Sequence, residues 1–537
     1  MYNIDNSYSE SEVLFMKFFK VALAALMALS CMLAFVACGD NEAETTTTAA
    51  ATTAKAEEST VQNTTTAVAA TTKATSATTK KNAKTQKVSE VEELISRTKN
   101  SRGNPSDDFV NSLKGYSLTV YYPWTPESKG TIKELKDSAV ECVNAVQNEF
   151  GVKIKEDGKF ENYNETLTAK LTANNKNSLA QIYQVQNYNY ASYFKNNYMC
   201  DLTVAMAKSG VDFKEPWYVQ DANGFFNVNN KQFAWIASDA EYVFPNSIIV
   251  YNKTLIKNKK LTDPVKLAEQ GKWTWDTIIK YANKLDDSSK GVIGFGTSNT
   301  EQMLEQMLAQ KGSSLVNVKK GASPTSNISN QTVKDTLSTL YTWCKSGGPC
   351  ETFMNKDWTY AKTQFASGKV AMMAGGHDLI QTLKTSKKTT DEFDLVQFPT
   401  PTGTTKYTNT AAPQFAVFIP SAWKDDAAKI LFLRNELYRQ NYRYAQRNFT
   451  YQWNKYFSDA DTLEYACNIK YGRDNNTTKF CWTSVCEKDG EVGAKTVIDE
   501  VLKSSTNSVQ TVISKNKDRI DKAYNSVWNG FKITGNV

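Results

Sequence analysis

Residues 245–256, PNSIIVYNKTLI, and residues 271–285, GKWTWDTIIKYANKL, decide how this chain folds. Residues 247–251 form a continuous apolar run that reads as a strand, and Asn252-Lys253 marks a turn after it. The Gly-Lys-Trp-Thr-Trp-Asp entry then predicts a helix with Thr274 as its N-cap. Trp275, Ile278, Ile279, Ala282 and Leu285 fall on one face of that helix. The segment therefore reads as one strand–loop–helix step of an α/β domain.

The same alternation continues on both sides. Residues 116–122 and 182–185 read as strands, and between them Ile132, Leu135, Ala139, Val143, Val146 and Phe150 mark a long helix. Downstream, Met303, Leu304, Met307 and Leu308 share one helical face, and Val333, Leu337, Leu340 and Tyr341 share another. Strands are expected at 370–374, 393–398 and 414–419. Strands separated by helices predict sheets with helices on both faces.

The length of 537 residues suggests two lobes plus extensions. With 41% hydrophobic and 12% aromatic residues, the chain can bury a large core. The net charge of +7 is not concentrated in a stripe, which argues against nucleic acid as a partner. The 26 tyrosines and 11 tryptophans give broad, stiff, amphipathic surface suited to polar ligands with apolar faces.

The N-terminal region reads as a processing signal. Lys17 and Lys20 precede an apolar run at 21–36, which is shorter than the roughly 20 apolar residues a membrane span needs. Phe35-Val36-Ala37-Cys38-Gly39 follows. Met16 fits a natural start, which makes residues 1–15 an upstream extension. An ordinary cleaved signal is the alternative. Residues 41–87 are dominated by Thr and Ala and carry few large apolar side chains. They predict a disordered tether, with the signal expected at residues 1–38 and the tether at 39–100.

Beyond Cys31 and Cys38 the chain carries Cys142, Cys200, Cys344, Cys350, Cys467, Cys481 and Cys486, an odd set that cannot all pair. An export signal permits disulfides, and Cys344/Cys350 or Cys481/Cys486 could bridge locally. Scattered buried thiols fit equally. His377 is the single histidine, so His-rich metal sites are excluded and a Ser-His-Asp mechanism would depend on one residue. No nucleophile elbow, zinc-protease helix or P-loop motif is present, and no cofactor or metal is expected. A glycosidase carboxylate pair stays open, because no two carboxylates are marked as partners.

Several of these segments together resemble the extracellular solute-binding proteins of family 1, the sugar-type receptors of ABC importers. The YNK…TWD segment at 251–276 resembles the family segment in which the strand, here ending at Tyr251, crosses between two lobes and the Asn-Lys opens the second. Residues 365–376, FASGKVAMMAGG, resemble its "F…GK.AM…G.W" segment, with His377-Asp378 where the Trp is expected. Phe398-Pro399-Thr400-Pro401 resembles the turn leading back to the first lobe, and residues 414–421 with Asp425-Asp426-Ala427-Ala428 resemble the strand and helix after it. The resemblance covers roughly residues 115–435. Residues 458–464 and 471–474 look like the family's late segment.

The resemblance implies a type II periplasmic-binding-protein-like α/β fold with two lobes joined by a multi-crossing hinge. Lobe 1 is expected at 115–250 and 412–450, and lobe 2 at 251–411 and 451–537. Cys38 resembles a lipobox cysteine, with Phe35 departing from the usual Leu, which implies a diacylated, membrane-anchored lipoprotein outside the cytoplasm. The expected partners are a small carbohydrate ligand and an ABC permease, with the receptor acting as a monomer and not as an enzyme.

In such a receptor the ligand lies in the cleft, touched by loops at the carboxyl ends of strands. That rule selects Trp124, Thr125 and Glu127 after the first strand, and Gln186, Tyr188 and Asn189 after the second. It adds Trp235 and Asp239 before the crossing strand, then Asn299, Gln302, His377 and Asp378 in the second lobe. Sugars need an aromatic plane against the C–H face and amides or carboxylates for the hydroxyls. Core packing is the competing reading for Trp235 and Trp273, whereas Trp124 sits on a loop between prolines. A receptor for a peptide or polyamine, or a tethered glycan-active enzyme, is the alternative function.

Overall fold

The computed structural model describes residues 105–537, apart from 131–132, 159–161, 238–244, 246, 354–357, 377–378, 380–381, 384–387, 405, 412–414, 445–475, 488–489 and 507. The expected signal, tether and Cys38 lie outside the described residues. The described residues belong to one compact unit, Ile95–Val537. No helix among them is long and apolar enough to cross a membrane.

In chain order the first elements are β1 (Ser117–Tyr122), α1 (Lys133–Phe150), β2 (Lys153–Gly158), α2 (Tyr163–Ala173), β3 (Ile182–Gln186) and α3 (Asn187–Lys195). There follow β4 (Ile248–Asn252), α4 (Trp275–Leu285), β5 (Ile293–Thr297), α5 (Thr300–Gln310), α6 (Gln331–Cys344), β6 (Glu351–Thr352), β7 (Val370–Gly375) and β8 (Phe393–Val396). Later come β9 (Tyr407–Ala411), β10 (Phe415–Phe418), α7 (Ala427–Tyr442), β11 (Asn476–Phe480), α8 (Thr483–Cys486), α9 (Ala494–Lys503) and α10 (Val509–Trp528).

Two sheets carry the fold. The first has the order β10-β3-β1-β2, parallel except for β10. The second has the order β6-β5-β7-β4-β8, in which β4 runs antiparallel to its neighbours. Every residue of β4 is buried, as its unbroken apolar run predicts for a strand covered on both faces. β4 already pairs with β7 at Ile248, whereas Trp235 still bridges Val417 of the first sheet. The chain thus changes sheets ahead of β4, and it returns between Val396 and Phe415.

Asn252-Lys253 has a local role at the end of β4. The Asn252 side chain accepts the Leu255 N–H at 3.0 Å and caps a short helix, while its amide donates to Asp391 at 2.7 Å. Lys253 pairs with Asp394 at 2.9 Å. Thr274 caps α4 as expected, through its hydroxyl and the Thr277 N–H. Trp273 is fully buried, and its indole donates to the Gln397 carbonyl at 2.9 Å. The Trp275 N–H donates to the Thr400 carbonyl, so the start of α4 holds the Phe398–Pro401 turn in place.

Helix α7 backs the first sheet and is buried along most of its length. Several of its buried polar residues have specific partners. Asn435 accepts from the Trp217 indole at 2.9 Å and from the Tyr218 hydroxyl at 2.8 Å. Arg439 pairs with Glu436, and Arg434 donates to the Tyr122 hydroxyl.

The last segment closes on residues far upstream. Trp482 stacks on Phe225 with centroids 4.2 Å apart, and Trp528 stacks on Phe194 at 5.7 Å. Thr534 donates its N–H to Asn227, and Asn229 donates to the Gly530 carbonyl, 301 residues away. A Cβ at Gly224 would lie 1.6 Å from the Asn536 carbonyl oxygen, so only glycine permits this approach.

Candidate functional site

The strands β1, β2 and β3 run toward a common edge of the first sheet, ending at Tyr122, Gly158 and Gln186. Phe415 begins the antiparallel β10 directly opposite Gln186. Loops at such a carboxyl edge are where open α/β sheets present side chains to ligands.

Trp124 stands in the loop after β1. It is 43% exposed, and its ring meets Phe415 edge-on, with centroids 4.7 Å apart and planes at 82°. Phe415 is itself buried, so it supports the indole from the sheet side. Gly158 allows the loop to close: a Cβ there would lie 2.1 Å from the Trp124 carbonyl oxygen. Lys155, and after it the Gly158 N–H donating at 2.9 Å, hold the Asp157 carboxyl below the usual range.

Beside this aromatic pair lies an amide-rich group. Gln186 Oε1 accepts from the Tyr188 hydroxyl and from Asn164 Nδ2, and Asn164 Nδ2 also donates to the Tyr188 oxygen at 2.7 Å. The Asn164 side-chain oxygen Oδ1 and the Gln186 side-chain nitrogen Nε2 make no hydrogen bond among the described residues, while the Asn164 backbone carbonyl accepts from the Tyr193 hydroxyl. Asn189, one turn along α3, has a buried Nδ2 with no acceptor there. Asn187 donates to Ser484 at 2.8 Å, which ties the start of α3 to α8. Burial raises the Tyr121 phenol to about 12, with Asp157 adding to the effect, so Tyr121 keeps its proton.

The expected residues therefore divide. Trp124, Gln186, Tyr188 and Asn189 gather at one sheet edge, and Thr125 is exposed in the same loop. Glu127 opens a short 3-10 turn, Glu127–Lys129. Trp235 requires correction. It is fully buried, stacks on Phe213 at 5.8 Å, and donates to the Tyr438 hydroxyl, so it is a core residue with no face for a ligand. Asn299 and Gln302 begin α5, after the carboxyl end of β5 in the second sheet. There Asn299 is occupied as the N-cap, accepting the Gln302 N–H at 2.9 Å. Asp239, His377 and Asp378 lie outside the described residues. Asn164 and Phe415 were missed. Asn164 follows β2, a strand the sequence reading did not identify, and the rule that selected loops after strands would have reached it.

A second concentration of ionisable groups links the two helices that start at these edges. Glu305 of α5 is buried, and its carboxyl is pushed up to about 8 by burial, then by Glu301, against opposing hydrogen bonds from Thr483 and Cys481. Burial likewise raises Glu487 to about 8, with Glu301 adding to the shift, although Glu487 accepts from the Ala494 N–H and the Tyr524 hydroxyl. Thr483 touches Glu305 while its neighbour Ser484 holds Asn187. Residues 483–484 thus connect a helix of one sheet to a helix of the other.

Among known proteins, the family model for bacterial extracellular solute-binding proteins matches residues 143–432. An ABC substrate-binding protein from Listeria monocytogenes, solved in complex with cycloalternan, superposes with a TM-score of 0.54 at 16% identity, covering 76% of this chain and 99% of that one. The GacH receptor of Streptomyces glaucescens, solved unliganded and with acarbose, gives 0.51 at 13% identity over 76% and 99%. An ABC transporter solute-binding protein from Thermotoga lettingae, bound to alpha-D-tagatose, gives 0.51 at 13% identity over 76% and 100%. At these identities the likeness establishes the fold, a two-lobed α/β architecture. A search of curated proteins finds no match.

Proposed function

The chain belongs to the bacterial extracellular solute-binding proteins, and from that premise we propose that it captures a carbohydrate, most simply an oligosaccharide, and delivers it to an ABC permease. It is a binding protein rather than an enzyme, as its family is. The observation that carries the sugar reading is the first-sheet edge, where the partly exposed indole of Trp124, against Phe415, lies beside the Gln186–Asn164–Tyr188 group. An indole face suits the C–H side of a pyranose. An unused side-chain amide nitrogen next to an unused side-chain carbonyl oxygen suits vicinal hydroxyls, each of which donates and accepts. The solved relatives that bind cycloalternan, acarbose and tagatose support the same ligand class.

Capture works by closure. A ligand touching both lobes favours the closed state by its differential affinity for that state. The hinge segments are those where the chain changes sheets, between Ala237 and Ile248 and between Val396 and Phe415. Asn299 and Gln302 supply the facing rim. The receptor is a monomer anchored through lipid on Cys38, a reading supported by the basic, apolar and small-residue order of residues 17–39.

A thermal-shift screen of the mature chain against mono- and oligosaccharides tests the reading. A ligand at a hundred times its Kd stabilises the native state by about 2.7 kcal/mol. A chain that is stabilised by peptides or polyamines and by no carbohydrate refutes it.

A further inference from the structure

Cys344 ends α6, and Cys350 directly precedes the edge strand β6. The intervening Lys-Ser-Gly-Gly-Pro reverses the chain. Gly347 takes a left-handed φ of 73°, and the Gly348 N–H donates to the Lys345 carbonyl at 2.7 Å. The Cys350 N–H then donates to the Trp343 carbonyl at 2.9 Å. That bond seats Cys350 against the peptide unit preceding Cys344. Standard backbone dimensions put the two Cα atoms within about 7 Å, at the reach of a disulfide. Cys344 is half-buried and Cys350 almost wholly buried. Burial raises the Cys350 thiol, and contact with the Cys344 thiol raises it further, so the two sulfurs are neighbours.

The other closely spaced pair is arranged differently. The Cys481 thiol faces Glu305 and Thr410, whereas Cys486 lies near Tyr190 and Tyr524. Spacing along the chain is similar in the two pairs, but only the first brings its thiols together.

We propose that Cys344 and Cys350 form an oxidisable pair that closes to an intrachain disulfide when the exported protein meets a disulfide-bearing oxidant. The half-exposed Cys344 thiolate attacks the donor disulfide, expelling one thiolate and forming a mixed disulfide. Cys350 loses its proton as it attacks the Cys344 sulfur and expels the second thiolate. Two protein thiols give up two electrons and two protons, and the donor disulfide becomes two thiols. The bond ties the end of α6 to β6. β6 pairs with β5 at Glu351↔Gly296 and Thr352↔Thr297, and the Thr297 hydroxyl accepts the Asn299 N–H at 3.3 Å. The bridge therefore steadies the strand that positions the α5 cap. This inference is independent of which solute is bound.

Trypsin supplies a direct readout, because it cleaves after Lys345, between the two cysteines. The purified mature protein is incubated with oxidised glutathione, denatured with an alkylating agent, digested and analysed without reduction. The expected result is a mass that joins the Cys344 and Cys350 peptides and separates on reduction, while Cys481 and Cys486 are alkylated. The melting temperature of the oxidised wild type should rise by a few degrees, and that of C344S and of the C344S/C350S double variant should not respond to oxidant. Full alkylation of both cysteines after oxidation overturns the proposal, and so does glutathione retained on Cys344 without closure. Because the peptide map needs only the wild-type chain, a variant that folds poorly leaves the test intact.

Discussion

Replacing Trp124 with alanine separates ligand contact from structural packing at a single position. The indole is 43% exposed. A tryptophan side chain buries at most about 250 Å², so roughly 100 Å² is open to a ligand. At about 25 cal/mol per Å², covering all of it contributes about 2.5 kcal/mol. A sugar face covers part of an indole, so the expected loss is about 1–2.5 kcal/mol, or roughly 5- to 70-fold in Kd. The structural cost is smaller than for a core tryptophan. The variant loses the edge-on contact with Phe415, about 0.5–1.5 kcal/mol, plus part of the packing beneath it. Trp235→Ala is the reference for a fully buried ring and should destabilise by about 3–5 kcal/mol. Titration calorimetry with a sugar found in the screen, and urea unfolding of both variants, provide the numbers. Trp124→Phe should recover most of the affinity. A Kd for Trp124→Ala within twofold of wild type refutes the argument, as does a stability loss matching that of Trp235→Ala.

Gly158→Ala places a methyl group against the Trp124 carbonyl. It should lower both the melting temperature and the sugar affinity, the latter by about tenfold as the loop shifts (about 1.4 kcal/mol); an unchanged Kd would show that the loop position is irrelevant to binding. The raised carboxyls of Glu305 and Glu487 mean that the folded state holds protons which the unfolded chain, with its ordinary value of 4.5, releases. Stability from these groups is therefore fully present below about 4.5 and is lost as pH rises through about 8. Glu305→Gln should flatten the decline in urea midpoint between those limits and exceed wild type above pH 8; a parallel pH profile contradicts this. Glu301, Glu487, Lys495 and Asp499 stay in place in that variant, so part of the slope remains. Asn435→Ala strands the Trp217 and Tyr218 donors and should cost about 1–3 kcal/mol for each, with sugar affinity held within twofold, as calorimetry and denaturant melts will show.

Strands buried on both faces were legible, because an apolar run such as 247–251 needs no context to be read. Helices with a strong apolar face and a capping residue were equally clear, and Thr274 falls where its sequence places it. β2 was not legible. It is an edge strand with the sequence KIKEDG, only partly buried, and its charged side chains disguise it. Missing it hid Asn164. Trp235 was misassigned for the opposite reason. Nothing in Phe-Ala-Trp-Ile-Ala announces that the segment bridges Val417, a contact within the first lobe between residues far apart in sequence. Phe415 likewise became a site residue only through its register with Gln186. Local pattern thus identified the elements, while the site arose from pairings between residues distant in sequence.

The docking of residues 530–536 onto residues 224–230 affects when this protein can fold. The packing around Phe194, Phe225 and Val228 cannot be completed until Trp482, Trp528 and Ile533, far downstream in the chain, have emerged from the ribosome. Contacts of such sequence separation form slowly, because a long loop must close before they are rewarded. For a protein that works outside the cytoplasm, that delay is useful. The nascent chain stays short of its native state while it is synthesised, and an unfolded chain is what a narrow secretion channel can thread. Folding then finishes on the far side, once the last pairing partners have crossed.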